Sequence, residues 1–147
     1  MDFLKNFARK KSIHISYINT GSCNGCDLEI LACLGPRYDI EQYGMFMHQP
    51  NPRETDIALI TGPVTDKWED KLGKLYEKIP EPKAVISIGQ CGCSGSLFEE
   101  GNTNPPVEEH IPVDAKVPGC PPRPQEIVDK LLEVSQEIFE DYGDKND

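Results

Sequence analysis

Four cysteines, Cys23, Cys26, Cys91 and Cys120, each stand a few residues beyond a short apolar run, so segments far apart in the chain can bring thiolates to one place. Gathering soft sulfur donors in this way is how a protein cages a metal ion or cluster. The runs are Ile13-His14-Ile15-Ser16-Tyr17-Ile18, Ala84-Val85-Ile86-Ser87-Ile88 and Val113-Asp114-Ala115-Lys116-Val117, and each leads within a few residues to Gly and then Cys. As parallel strands of one sheet they would present the cysteines at its carboxyl edge, where an open α/β sheet binds its ligand.

Other sulfur chemistries compete for these residues. Cys23-Asn24-Gly25-Cys26 alone suits a redox dithiol, because a helix start stabilises a thiolate. That reading leaves Gly89-Gln90-Cys91 and Gly119-Cys120-Pro121 without a purpose. Structural zinc also accepts four thiolates, but its ribbons usually pair two C-x-x-C knuckles, whereas here the third and fourth sulfurs arrive singly. The Cys120-Pro121 step resembles the end of the ligand run in bacterial ferredoxins. One 4Fe-4S cluster is therefore the preferred reading and zinc the alternative. Cys33 falls on the apolar side of the first predicted helix and reads as a buried free thiol. Cys93 is an alternative third ligand, and Cys91 is preferred because it follows its strand at the Gly-x-Cys position.

Positioning these residues requires a particular order of elements. Helical spacing of Leu28, Ile30, Leu31 and Leu34 predicts a helix from Asp27 to Leu34, stopped by Gly35-Pro36. Thr55 to Ile60 reads as a strand that breaks at Thr61-Gly62-Pro63. Thr65 is the expected cap of a helix whose Trp68, Leu72, Leu75, Tyr76 and Ile79 share one face. A last helix runs from about Pro124 to Tyr142. Alternating strands and helices of this kind predict an α/β fold, a flavodoxin-like parallel sheet flanked by helices, with the iron-sulfur site at the carboxyl edge of its strands. Residues 99–112 read as a Pro-rich acidic loop, and the 147 residues as a single domain, with a basic amphipathic segment at 1–11 and a polar tail at 143–147.

Composition narrows the function class. Lys and Arg number 15 against 25 Asp and Glu, a net charge of -10, which argues against nucleic-acid binding and toward a protein or small redox partner. No apolar run approaches the roughly 18 residues of a membrane span, and the N-terminus lacks the pattern of a secretory signal. Six cysteines in such a chain are more readily ligands or free thiols than a disulfide framework.

Several motifs now agree in order: Gly21-Ser22-Cys23-Asn24-Gly25-Cys26-Asp27-Leu28-Glu29, Pro36-Arg37-Tyr38-Asp39-Ile40-Glu41, Thr61-Gly62-Pro63-Val64-Thr65 and Val117-Pro118-Gly119-Cys120-Pro121-Pro122-Arg123-Pro124. Together they resemble the small subunit of nickel-iron hydrogenases, and within it the energy-converting, membrane-bound class related to respiratory complex I. The resemblance spans residues 13–135. The corresponding complex I subunit carries adjacent cysteines where this chain has Cys23-x-x-Cys26, which tips the reading toward hydrogenase. One departure lies in the third motif, where relatives carry a Gly-Gly pair and this chain has Gly95-Ser96 and an intruding Cys93.

The resemblance implies an oxidoreductase subunit without the catalytic metals. Cys23, Cys26, Cys91 and Cys120 would hold one 4Fe-4S cluster, and the nickel-iron centre would belong to a large catalytic partner subunit. Electrons would pass from reduced ferredoxin, through a ferredoxin-like multi-cluster subunit and this cluster, to the site where protons become hydrogen. The reaction would be reversible and coupled to ion translocation through integral membrane subunits, and the chain would sit peripherally at the cytoplasmic face of the cell membrane. The equivalent cluster subunit of a related complex I-like or sulfur-reducing membrane oxidoreductase is the alternative, and a zinc-stabilised interaction module a further one.

Glu29 lies one helical turn after Cys26, on the cluster side. The resemblance to complex I, where the glutamate at the matching place lies near the terminal cluster, implies a role in linking electron transfer to proton movement, and a helix-surface carboxylate is the alternative. Arg37 is expected to pair with Asp39 or with a partner's carboxylate, and Asp39 itself to make a structural turn. His14, His48 and His110 read as structural or exposed, since no second ligand is spaced to join them. Met45-Phe46-Met47 reads either as a partner-facing patch or as core. Phe3, Leu4 and Phe7 beside Lys5, Arg9, Lys10 and Lys11 suggest a short amphipathic helix docking on a membrane partner.

Overall fold

Strands that read as unbroken apolar runs belong in the middle of a parallel sheet, where helices cover both faces. The computed structural model, which describes residues 12–47, 51–95 and 106–144, places them there. Strand β3 (Ile57–Thr61) and β4 (Ala84–Ile88) are buried at every position. They are flanked by β1 (Ile13–Asn19) and β5 (Ala115–Val117), with β2 (Met45–Met47) at the far edge. The order is β2-β1-β3-β4-β5, and all four pairings are parallel. This is the flavodoxin-like arrangement, whose ligands gather beyond the carboxyl ends of the strands.

Two layers close the sheet. On one face α1 (Gly25–Ala32) and the long α4 (Pro124–Asp144) bring Ile30, Ile127, Leu131 and Val134 against Ile13, Ile15, Leu59, Ile86 and Ile88. On the other, α2 (Asp66–Lys78) packs Leu72 with Ala58, Ile60 and Val85. Each fully buried aliphatic side chain of this kind contributes about 1.5–3 kcal/mol. Beyond β4 lies a short helix, α3 (Gln90–Ser94). Among the described residues no helix is long and apolar enough to cross a membrane.

Several expectations are revised. The predicted strand at Thr55 starts at Ile57, and the one at Val113 starts at Ala115. The first helix begins at Gly25, within the C-x-x-C, and ends at Ala32. Met45-Phe46-Met47 forms β2, pairing with Ile13 to Ile15, and Met45 is buried, so packing accounts for it. Thr65 occupies the N-cap position of α2 without capping it, because its hydroxyl donates to the Thr20 carbonyl across the sheet edge at 3.0 Å. Of the expected loop at 99–112, residues 99–105 lie outside the described residues and the rest holds a 3-10 turn, Val107–Glu109, while α4 takes in Gly143 and Asp144 of the expected tail. The N-terminal amphipathic segment, His48, Ser96 and residues 145–147 lie outside the described residues.

Candidate metal centre

Beyond Asn19 the chain turns across the carboxyl edge of the sheet, and the Asn19 side chain shapes the turn. Its Oδ1 accepts the amides of Gly21 at 2.9 Å and Ser22 at 2.8 Å, a local bonding pattern in which asparagine imitates a backbone turn. Its Nδ2 donates to Ser22 Oγ at 3.0 Å, Asn24 Oδ1 at 3.3 Å and Asp27 Oδ2 at 2.5 Å. Asn24 takes the left-handed conformation at φ 70°, which asparagine tolerates, and α1 follows at once. Cys23 and Cys26 are thereby presented on either side of the helix start.

The loops after β4 and β5 are joined to each other. The amide of Gly89 donates to the Val117 carbonyl and that of Gln90 to the Gly119 carbonyl, both at 2.8 Å, so Cys91 and Cys120 sit on one hydrogen-bonded unit. Gly89 has φ 88° and ψ 160°, and a side chain there would overlap the Sγ of Cys26. The Cys26 thiol therefore rests on bare backbone. Where a side chain at Gly25 would begin, Cys23 Sγ is 3.6 Å away and Pro121 Cβ 3.9 Å, which brings the first cysteine loop onto the Cys120-Pro121 step. Three loops, from β1, β4 and β5, meet at one edge.

All six cysteines are free thiols, with Cys23 and Cys120 exposed and Cys26 and Cys91 half-buried. Burial pushes the Cys26 thiol up to about 11, and the neighbouring charges of Cys23, Cys91, Asp27 and Cys120 push in the same direction. The Cys91 thiol is raised by burial first and then by Cys120 and Cys23. These are the mutual repulsions of four thiolates gathered at one place, and positively charged iron or zinc would offset them. Among the described residues no three ligating side chains already form a closed array around a point. The fit to a cluster therefore rests on the donor chemistry and on the meeting of the loops.

The two other cysteines face away. The Cys93 thiol is buried and donates weakly toward the Ser87 carbonyl at 3.5 Å, inside the sheet, so Cys91 is the member of the pair left at the edge. The Cys33 thiol donates to the Glu29 carbonyl at 3.3 Å, and burial, aided by the Glu29 charge, pushes it up to about 11. At pH 8 such a group is a thiolate about one part in a thousand of the time. In the metal-free chain, iodoacetamide at that pH is expected to modify Cys23 and Cys120 well before Cys33 and Cys93, as peptide mapping by mass spectrometry would read. Early labelling of Cys33 would contradict its placement.

Backbone amides at Gly21, Ser22, Gly89 and Gln90 are natural candidates to donate to the sulfurs, but each already has a partner inside the protein. They build the loops instead. Glu29 is half-buried and its charge bears on Cys33, whereas the carboxylate felt at Cys26 is Asp27. Arg37 lies over the Tyr38 ring at 5.7 Å, and Asp39 takes the left-handed conformation of a turn at φ 39°. His110 Nδ1 lies 4.0 Å from Glu69, and among the described residues no cysteine is one of its partners. The residue that sequence reasoning passed over is Asp27, buried to 9 % exposure and bonded to Asn19, Ser22 and Thr61. Its one sequence signal is an acid in the first turn of a helix.

The chain matches the family model of the NADH ubiquinone oxidoreductase 20 Kd subunit over residues 23–134. It is 57% identical to an uncharacterised protein of Methanocaldococcus jannaschii, covering 90% of this chain and 88% of the relative. It is 44% identical to the probable membrane-bound hydrogenase subunit mbhJ of Pyrococcus furiosus, covering 93% of this chain and 87% of that one. Its fold resembles a chain of the membrane-bound sulfane sulfur reductase, an archaeal respiratory membrane complex, with TM-score 0.76 and 34% identity over 95% of this chain and 77% of that one.

Proposed function

Since the chain belongs to the family of the NADH ubiquinone oxidoreductase 20 Kd subunit, a family of oxidoreductase subunits, we propose that it is the electron-transfer small subunit of a membrane-bound, energy-converting nickel-iron hydrogenase. The observation that carries this reading is its likeness, over nearly the full length of both chains, to a membrane-bound hydrogenase subunit. Cys23, Cys26, Cys91 and Cys120 hold one 4Fe-4S cluster, which when bound supplies a one-electron relay between ferredoxin-type clusters and the nickel-iron site of a partner. The chain's own work is to hold four thiolates at the sheet edge and to set their surroundings.

Partner contact follows from the exposed side of α1. Leu28 is 64 % and Leu31 47 % exposed, on the helix that begins at the C-x-x-C and beside the exposed Cys23. The large catalytic subunit covers this face, taking apolar surface from water together with the sulfur edge. Glu29, half-buried on the same helix, is the candidate proton-coupling group. The ferredoxin-like subunit, the ion-translocating membrane subunits and a peripheral place at the cytoplasmic face complete the proposal.

A second reading is favoured by the fold match to the sulfane sulfur reductase chain: the same relay in a complex that reduces sulfur compounds. Iron, zinc and acid-labile sulfide in anaerobically purified protein, with electron paramagnetic resonance after dithionite reduction, test what the readings share. About four irons and four sulfides per chain are expected. One zinc and no iron would leave only an interaction module. Hydrogen evolution against sulfane sulfur reduction by the purified complex then separates the two redox readings.

A further inference from the structure

Among the described residues Asp27 is the one buried carboxylate at the cysteine loops, and its bonds link elements that the sequence holds far apart. Its Oδ1 accepts the Thr61 hydroxyl at 2.6 Å, at the carboxyl end of β3, across 34 positions of sequence. Its Oδ2 accepts Asn19 Nδ2 at 2.5 Å, at the end of β1, and the Ser22 hydroxyl at 3.2 Å. Thr61 is fully buried. The same Asn19 holds the amides of Gly21 and Ser22, and Ser22 Oγ accepts the amide of Asn24 at 3.1 Å. Every turn of the first cysteine loop is thus tied, through Asn19 or Ser22, to one carboxylate.

We propose that Asp27 is a positioning residue that clamps the C-x-x-C loop to the ends of β1 and β3 and, by its fixed negative charge, lowers the reduction potential of the group the cysteines hold. The inference rests on the reading of Cys23 and Cys26 as cluster ligands. Hydrogen bonds to an ionised acceptor are the strong ones, and a carboxylate with three donors holds them in a single geometry. Asp27 directly follows Cys26 in the chain and is bonded to Ser22, the neighbour of Cys23, so its carboxylate stands at the loop that carries both thiols. A cluster gains negative charge on reduction, so an adjacent anion disfavours the reduced form. Asparagine is nearly isosteric but neutral, and whichever way its amide turns, one of the two acceptor positions becomes a donor, facing either Asn19 Nδ2 or the Thr61 hydroxyl. Thr61→Val removes one anchor and leaves the charge in place.

The full-length chain is compared as wild type, Asp27→Asn and Thr61→Val. Three measurements are made: amide hydrogen exchange of Gly21 to Asn24 before cluster loading, iron release to a chelator after loading, and a redox titration followed by electron paramagnetic resonance. Both variants are expected to exchange these amides at least several-fold faster and to lose iron several-fold faster. Only Asp27→Asn is expected to shift the midpoint potential upward, while Thr61→Val stays at the wild-type value. Wild-type exchange and iron release in both variants would overturn the clamp, and an unchanged potential in loaded Asp27→Asn would overturn the charge effect. If Asp27→Asn takes up no cluster, Thr61→Val decides the clamp, and faster exchange with a wild-type potential upholds it. Iron-free wild type would refute the cluster reading itself, and the exchange rates would still decide the clamp.

Discussion

On the proposed ligand set, Cys120→Ala is expected to strip the iron from the chain, and with it the reduced-state resonance signal, while Cys33→Ala and Cys93→Ala are expected to keep both. Cys120 is exposed and shares a hydrogen-bonded loop pair with Cys91, so its loss leaves the other three thiols in place but opens one corner of the site. Removing a partner that merely orients a ligand costs about 10–100-fold in metal affinity, so losing a ligand should cost at least about 100-fold in the electron-transfer rate of the assembled complex. Cys33 is buried with no solvent path, and its truncation leaves a small cavity worth about 1–2 kcal/mol of stability without touching the edge. The assay is iron per chain beside thermal unfolding, which separates a lost ligand from a lost fold. Iron loss in Cys93→Ala with retention in Cys91→Ala would reassign the third ligand.

What could be read in the chain beforehand depended on local repetition. The apolar runs of β1, β3 and β4 and the stripes of α2 and α4 bury themselves residue by residue, so their period announces them. The cysteines that follow glycine just past the ends of the strands were legible as a group at the carboxyl edge, because the loops after parallel strands all leave from that edge. Elements created by tertiary contact left no such trace. β2 is three residues long and exists because Ile13 to Ile15 offer it an edge. α3 has five residues including a glycine, too short to nucleate unaided. Asp27 became the hub of the first loop through Thr61, 34 positions away, and no spacing rule links the two. The amides of Gly89 and Gln90 are likewise taken up by carbonyls of another strand's end, Val117 and Gly119, while those of Gly21 and Ser22 are held locally by Asn19.

Gly89→Ala is expected to cost about 2–6 kcal/mol of stability and to abolish cluster retention. Its φ of 88° and ψ of 160° lie in a region that only glycine occupies freely, and forcing a side chain there costs about 1–3 kcal/mol. A further cost of similar size, about 1–3 kcal/mol, comes from overpacking, since the new methyl group falls on the Sγ of Cys26 and 3.6 Å from the Gly119 carbonyl. For a chain of 147 residues this corresponds to a drop in Tm of about 4–24 °C. Gly44→Ala is the matched control: φ is 77° there, yet nothing lies within 4 Å of the added methyl, so backbone strain acts without displacing a thiol. Both variants should unfold earlier than wild type, but only Gly89→Ala should fail to hold iron under a chelator. Equal iron retention in the two would mean that the Cys26 thiol does not depend on the bare backbone of Gly89, and that its place among the ligands is fixed by α1 alone.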